Sequence, residues 1–355
     1  MNTIKTQKLQ ELVAKSVKGV GYDKNIPMTT MMGITVNNGK LTLSSTDATN
    51  YLYITGELEG ATENIDISVY ADVFSKLVAK LTTEETSLKL DGRSLVVTAN
   101  GQYTMSLPID ENGNLVVFPK KSITDIKQLG IVSTENKKLM LTSLRPSLSA
   151  VKESVYSNYY IGELAVSTDR AMMCVLDEPL FEEPKMLRKE FVDLWELISG
   201  DVAVAISGTD IVTKSAIDGV EIYSKVDSSD TEFNLEGVKK MVAFDNSAFC
   251  KIRKADLLSL LERIALFVGA YDDSTITMKF TDTCLEITSK TQSGSEAIDY
   301  MESINPIELT TKIDINRLIV QLKSYPSDVV ELWYGSDFCI KLTDGKLSQV
   351  LALVR

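Results

Sequence analysis

The chain has 355 residues, 44% of them apolar and 24% charged, with 37 basic and 49 acidic side chains and a formal charge of −12. That apolar fraction, with only 8 Pro, excludes a disordered chain, and at about 150 residues per domain the length implies roughly two to three domains. There is no His, which excludes Ser-His-Asp and Cys-His nucleophile systems, imidazole acid–base chemistry and His-ligated zinc.

Helical apolar spacing first appears at Leu9, Leu12, Val13 and Val17 and predicts a helix over 5–18. The strand LTLSSTD at 41–47 comes next, then a second helical segment over 69–83 carrying Val73, Leu77 and Leu81. Alternating strands split by Asp-Gly and Asn-Gly turns close this stretch, as SLKLDGRSLVVTANGQYTMSLPI. The series then repeats. Leu144, Leu148 and Val151 predict a helix over 142–155, LAVSTD occupies 164–169, Phe191, Leu194 and Ile198 predict a helix over 183–197, and the strands VAVAISGTDIVTKSAIDGVEIYSKV end it. A third pass gives Leu257, Leu260, Leu261 and Ile264 over 253–266, LEITSKT at 285–291, Ile315, Leu318 and Leu322 over 312–324, and the closing strands VVELWYGSDFCIKLTDGKLSQVLALV.

Asp47, Asp169 and Thr291 at the ends of the three short strands are spaced 122 residues apart. The unit helix, strands, helix, strands therefore occurs three times. We place its boundaries near 121, after Pro119, and near 244, in VAFDNSA, giving domains 1–120, 121–243 and 244–355. Each is expected to be α+β, an antiparallel β layer covered on one face by two helices. No low-complexity linker separates them, so a rigid array is expected.

Cys174, Cys250, Cys284 and Cys339 form no CxxC pair and read as buried thiols of a reducing cytosol. MNTIKTQKLQ has no apolar signal core, and no run approaches the ~18 apolar residues of a membrane span. A soluble, cytoplasmic protein without a membrane partner is expected. Asp47 and Asp169 suggest an enzyme with paired carboxylates. Against that, they lie in different repeats, the third repeat has Thr291, and Ser/Thr-Asp is an ordinary turn signal. We expect no catalytic residue, no metal and no cofactor.

Charge is segregated. The six predicted helices hold 17 basic and 10 acidic residues, leaving 20 basic and 39 acidic elsewhere. Lys is a good helix former and solvated helix faces are commonly charged, but Glu is an equally good former and is not enriched. The functional alternative is that the helices face one polyanion while the acidic sheets discourage binding elsewhere.

The chain resembles the bacterial-type DNA polymerase III beta subunit, the sliding clamp, in the manner of a phage or otherwise divergent member. The resemblance is carried by GKLTLSSTDATNYLYITGELEG and ISVYADVFSKLVAKL in the first repeat and STDRA in the second. The third contributes KIRKADLLSLLERIALF and LEITSKTQSGSEAIDYM, with a chain end directly after the last strand. It implies three repeated clamp domains forming half of a six-domain ring, closed as a head-to-tail homodimer, with helices lining a hole that passes duplex DNA without base readout. It also implies a processivity factor that tethers the replicative DNA polymerase and takes the clamp loader and other clamp-motif proteins as partners. The rival reading is a clamp-fold interaction module or decoy that binds replication proteins without encircling DNA.

Position in the family implies the site residues. Channel cations would come from Lys8, Lys15, Lys18, Lys24, Lys76, Lys80, Arg145, Lys152, Lys189, Arg253, Lys254, Arg317 and Lys323. A peptide-binding cleft would be lined by Thr168, Met172, Met173, Val242, Phe338, Leu351 and Leu353. The dimer joint would set Met105 and Leu107 against Leu266 and Phe267. Two segments depart from the family pattern: its Thr-Asp-Gly-His-Arg-Leu run is Thr168, Asp169, Arg170, Ala171, Met172, Met173 here, and its terminal Met-Pro-Met-Arg-Leu is Leu351, Ala352, Leu353, Val354, Arg355.

Overall fold

Among the described residues the helices are α1 (Thr6–Val17), α2 (Ala71–Val78), α3 (Thr134–Leu139), α4 (Lys189–Asp193), α5 (Leu235–Val242), α6 (Lys254–Ala265) and α7 (Ile315–Ser324). The computed structural model describes residues 2–151, 154–226, 233–243, 248–268, 274–290 and 293–354. None of its helices is long and apolar enough to cross a membrane. Four helices fall where apolar spacing placed them. α1 buries Leu9, Leu12 and Val13, α6 buries Leu257, Leu260, Leu261 and Ile264, and α7 buries Ile315, Leu318 and Leu322. In α2 the buried stripe is Ala71, Phe74 and Val78, and Val73 is exposed.

Two predicted helices are corrected. The segment expected at 142–155 starts earlier, as α3, continues through a π turn at Met140–Leu144 and a 3-10 turn at Arg145–Ser147, and ends there. Pro146 fits the first positions of a 3-10 turn but supplies no N–H to extend it. The segment expected at 183–197 begins as a strand, Lys185–Arg188, before α4 and a 3-10 turn at Leu194–Leu197. There the edge register with Asn158–Ile161, Tyr159 opposite Leu187, overrides helical spacing. α5 was not expected from apolar spacing. Its signal is the cap: Asn234 Oδ1 accepts the Gly237 N–H at 3.0 Å, Glu236 lies in the first turn, and Lys239 and Lys240 lie in the last.

The chain divides into two compact units. The first comprises residues 1–134 and 190–226. It holds a four-stranded sheet in the order Asn2–Lys5, Glu85–Asp91, Ser94–Thr98, Gln102–Ser106. Its eight-stranded sheet runs Ile65–Tyr70, Met31–Asn37, Lys40–Thr46, Tyr51–Glu57, Val220–Lys225, Asp210–Ser215, Val202–Ser207, Lys127–Val132. α1 lies so close to the larger sheet that a Cβ on Gly56 would stand 2.7 Å from Leu12 Cδ1. Gln10 Nε2 donates to the carbonyls of Val78 and Leu81 at 3.0 and 2.9 Å, tying α1 to the end of α2.

The second unit comprises residues 135–189 and 227–355. Its nine-stranded sheet runs Lys185–Arg188, Asn158–Ile161, Ala165–Thr168, Met172–Leu176, Leu347–Ala352, Cys339–Asp344, Val329–Tyr334, Ala248–Arg253, Glu302–Ile304. A four-stranded sheet runs Ser295–Asp299, Cys284–Ser289, Thr275–Phe280, Leu309–Asp314. α6 and α7 pack into its main core with Ile276, Met278, Phe280, Leu285, Ile287 and Ile313.

All these pairings are antiparallel, as expected of the α+β repeats. Apart from Glu302–Ile304, which joins the nine-stranded sheet, each repeat gives its inner strands to one sheet and its flanking strands to another. Two junction pairings carry this arrangement: Tyr51–Glu57 with Val220–Lys225, and Met172–Leu176 with Leu347–Ala352. At the first junction Gly219, at φ 63, presses on Thr55, and a Cβ there would lie 2.1 Å from the Thr55 carbonyl oxygen. Only glycine fits both the angle and the approach.

Candidate functional site

The Ser/Thr-Asp turn is built twice with the same bonds. In the first repeat Asp47 Oδ1 accepts the Thr49 and Asn50 N–H groups at 2.9 and 2.6 Å, and Thr46 Oγ1 donates to the Asn50 carbonyl at 2.6 Å. In the second, Asp169 Oδ1 accepts the Ala171 and Met172 N–H groups at 2.9 and 2.6 Å, and Thr168 Oγ1 donates to the Met172 carbonyl at 2.7 Å. Ala48 and Arg170 occupy the same left-handed position, at φ 80 and 79. Arg170 stands where the family run has Gly, and its guanidinium lies 4.9 Å from the Tyr156 ring centre. The carboxylates are turn-holding acceptors 122 residues apart in sequence, and each holds its own turn through Oδ1.

The strand that leaves the second turn carries Met172 and Met173 to opposite faces, as a period of two requires. Met172 faces Leu351 across the strand pair and joins the main core, against which Leu353 is partly buried. Met173 faces Val350 and joins a separate cluster with Tyr160, Leu164, Val166, Val175, Val238 and Cys339, edged by Val242, Phe233 and Leu235. The predicted cleft residues are thus divided: Met173 with Val242 on one face, Met172 with Leu351 and Leu353 on the other. Phe338 is 57% exposed, and its carbonyl accepts the Leu353 N–H at 2.8 Å.

Sequence reasoning named Val242 but missed the rest of the α5 side of this cluster. Phe233 stacks on Tyr160 at 4.8 Å and 16°. Lys341 Nζ donates to the Val242 carbonyl at 3.0 Å, closing the end of α5, and burial holds its ammonium below the usual lysine range. The pattern that could have revealed it is Phe233 before the Asn234 cap and Val238 four residues after it, the apolar pair that marks a helix start.

The candidate channel cations differ in what they do. Lys8 and Lys15 lie on α1, and Lys18, at its C-cap, pairs with Glu196 at 2.5 Å. Lys24 is exposed in the loop beyond α1. Lys76 on α2 pairs with Asp72, and Lys80 is exposed past the helix end. Arg145 opens the 3-10 turn of the second repeat and Lys189 opens α4. Lys152 lies outside the described residues. Arg253 is exposed at the α6 N-cap, while Lys254 Nζ is turned to the Tyr325 carbonyl at 2.9 Å. On α7, Arg317 pairs with Asp169 at 2.5 Å and Lys323 with Glu262 at 2.9 Å. α7 carries the largest basic excess and α1, α3 and α5 one net positive charge each, whereas α4 and its 3-10 extension carry Lys189 against Glu190, Asp193 and Glu196.

Of the residues expected at a joint, Met105 is half-buried on Gln102–Ser106, the outer strand of its sheet, and Leu107 is buried just beyond it. Leu266 and Phe267 follow α6, 82% and 49% exposed, and the Phe267 ring covers Gly294. No group of His, Cys, Asp and Glu able to hold a metal occurs among the described residues.

Residues 1–116 match the family model of the DNA polymerase III beta subunit, N-terminal domain. No curated protein sequence matches the chain. Among solved structures, the beta subunit of the DNA polymerase of Streptococcus pyogenes superposes with a TM-score of 0.86 at 16% identity, covering 100% of this chain and 99% of that one. The DNA polymerase sliding clamp of Bacillus subtilis gives 0.84 at 16% identity, covering 100% and 98%. A sliding clamp of Pseudomonas aeruginosa, bound to griselimycin, gives 0.86 at 16% identity, covering 99% and 98%. The chain has the sliding-clamp fold from end to end, and its first third resembles the beta subunit in sequence as well.

Proposed function

We propose that the protein is a DNA sliding clamp, a processivity factor that closes as a head-to-tail homodimer around duplex DNA and tethers a replicative polymerase. The observation that carries this reading is the full-length likeness to sliding clamps, with 98% or more of both chains covered in each comparison above. Two further features support it. Gln102–Ser106 and Ser295–Asp299 end their sheets, leaving strand edges that a second copy would cover. Beside these edges stand Met105 and the exposed Phe267, the residues nominated for the joint. Such a contact is heterologous, and it closes only if the rotation per domain completes a ring.

Retention on DNA would then be topological. Weak phosphate contacts from the exposed Lys80 and Arg253 and the part-exposed Lys8 and Lys15 would permit sliding, because they carry no sequence information. The apolar cluster around Met173 and Val242 would receive short motifs of the polymerase, the clamp loader and other clamp-binding proteins. No reaction is assigned to the chain. Loading onto nicked circular duplex tests the reading: the protein should stay on the circle through gel filtration and leave when the circle is cut. Loss from intact circles with motif peptides still bound would favour a clamp-fold decoy instead.

A further inference from the structure

The two Ser/Thr-Asp turns differ in one partner. Asp47 satisfies its second carboxylate oxygen locally, accepting Asn50 Nδ2 at 2.7 Å. In the second repeat the equivalent of Asn50 is Met172, whose side chain is committed to the main core and offers no donor. Asp169 Oδ2 accepts Arg317 Nη1 of α7 at 2.5 Å instead, from 148 residues away. The Asp169 side chain is 17% exposed and that of Arg317 34%, and Arg317 Nε also lies 3.8 Å from Asp314.

We infer that Arg317 is a positioning residue of the peptide cleft and not a phosphate contact of the channel. A half-buried carboxylate oxygen left without a donor is costly, and guanidinium is the side chain suited to reach it over that distance. With two carboxylates beside it, Arg317 presents little net positive charge to a polyanion. Its ion pair instead fastens the turn at 168–172 to α7, and that turn starts the strand on which Met173 enters its cluster. The first repeat needs no such fastening because Asn50 closes its turn. The inference rests on the cleft reading for its functional consequence but not for its structural one.

The test uses the full-length chain with Arg317→Met, Arg317→Lys and Asp169→Asn. Three quantities are read: hydrogen exchange of the segment 168–173, anisotropy of a fluorescein-labelled pentapeptide with Leu and Phe anchors, and the salt dependence of duplex DNA binding. Arg317→Met and Asp169→Asn should each speed exchange at Ala171 and Met172 and weaken the peptide about five- to tenfold, the scale of one net hydrogen bond. Arg317→Lys should recover part of both effects, and the salt slope should be the same in all variants. Unchanged exchange in Arg317→Met would overturn the inference. So would a salt slope reduced by about 0.9, the signature of one lost phosphate contact. If the unmodified chain binds no peptide, the cleft reading fails, and exchange alone still decides whether Arg317 holds the turn.

Discussion

Met172 and Met173 are consecutive on one strand and belong to two different cores. Met172 is surrounded by α6, α7 and both sheets of the second unit, whereas Met173 sits in a smaller cluster edged by half-buried side chains of α5. Truncating a buried Met to Ala costs about 2–5 kcal/mol, with the higher values where surroundings cannot collapse. Met172→Ala should therefore lower the urea midpoint more than Met173→Ala, and Met173→Ala should be the variant that loses motif-peptide affinity. Equal midpoints with equal affinities would mean that the two faces are not distinct.

Ala48 offers a stabilising substitution. It is exposed and held at φ 80, where an L side chain costs of order 1–2 kcal/mol and glycine does not. After the extra chain entropy of glycine, Ala48→Gly should gain roughly 0.5–1 kcal/mol. A rise in the urea midpoint checks it, and a fall would show that the left-handed turn is not strained.

Tyr53 links the 119–121 segment to the larger sheet of the first unit. Its hydroxyl donates to the Pro119 carbonyl and accepts the Lys121 N–H, both at 2.8 Å, and its ring meets Tyr223 edge-on at 5.7 Å. Burial pushes its phenol up to about 12. Because the folded value lies above the unfolded one near 10, the stabilisation is complete below pH ~10 and is lost as pH rises towards 12. Tyr53→Phe should cost about 1 kcal/mol at pH 7. It should also lose less stability than the unmodified chain between pH 9 and 11, read from urea midpoints at both. An identical loss in the two proteins would assign the alkaline transition to other groups.

An acid-sensitive counterpart lies in the second unit. Lys346 Nζ donates to Glu178 Oε2 at 2.6 Å and Asn136 Nδ2 to its other oxygen at 2.9 Å, and these two bonds hold the Glu178 carboxyl below the usual carboxylate range. With the folded value depressed, this stabilisation is present above the ordinary glutamate value near 4.3 and disappears as pH falls through the folded one. Lys346→Met should lower the melting temperature at pH 7 and make progressively less difference as pH falls through the acid range. A constant difference across that range would exclude the linkage.

The proposed joint makes a prediction of its own. Phe267 is half-exposed over Gly294 beside an outer strand, so Asp in its place would put an unpaired charge into the contact between copies. Phe267→Asp should give a monomer of 39.2 kDa by light scattering where the unmodified chain gives about twice that mass. A dimer at the same low-micromolar concentration would move the joint elsewhere.

Periodicity by itself determined the threefold unit, the faces of α1, α6 and α7, and the turn at Asp47 and Asp169. These depend on local hydrogen bonds and on residues three or four apart, which any folded context preserves. The middle repeat was legible only in part. Its strands join sheets begun by the other two repeats, so the edge register at Lys185–Arg188 overruled apolar spacing and the helix expected at 142–155 moved towards α3. The candidate sites show the same division. The basic side chains of α1 and α7 could be read from composition. Lys18, Arg317 and Lys323 are matched by Glu196, Asp169 and Glu262. Met172 and Met173 are parted by one step of a strand. Only tertiary structure decides such matters, because partners 148 residues apart are brought together by packing, which sequence spacing does not encode.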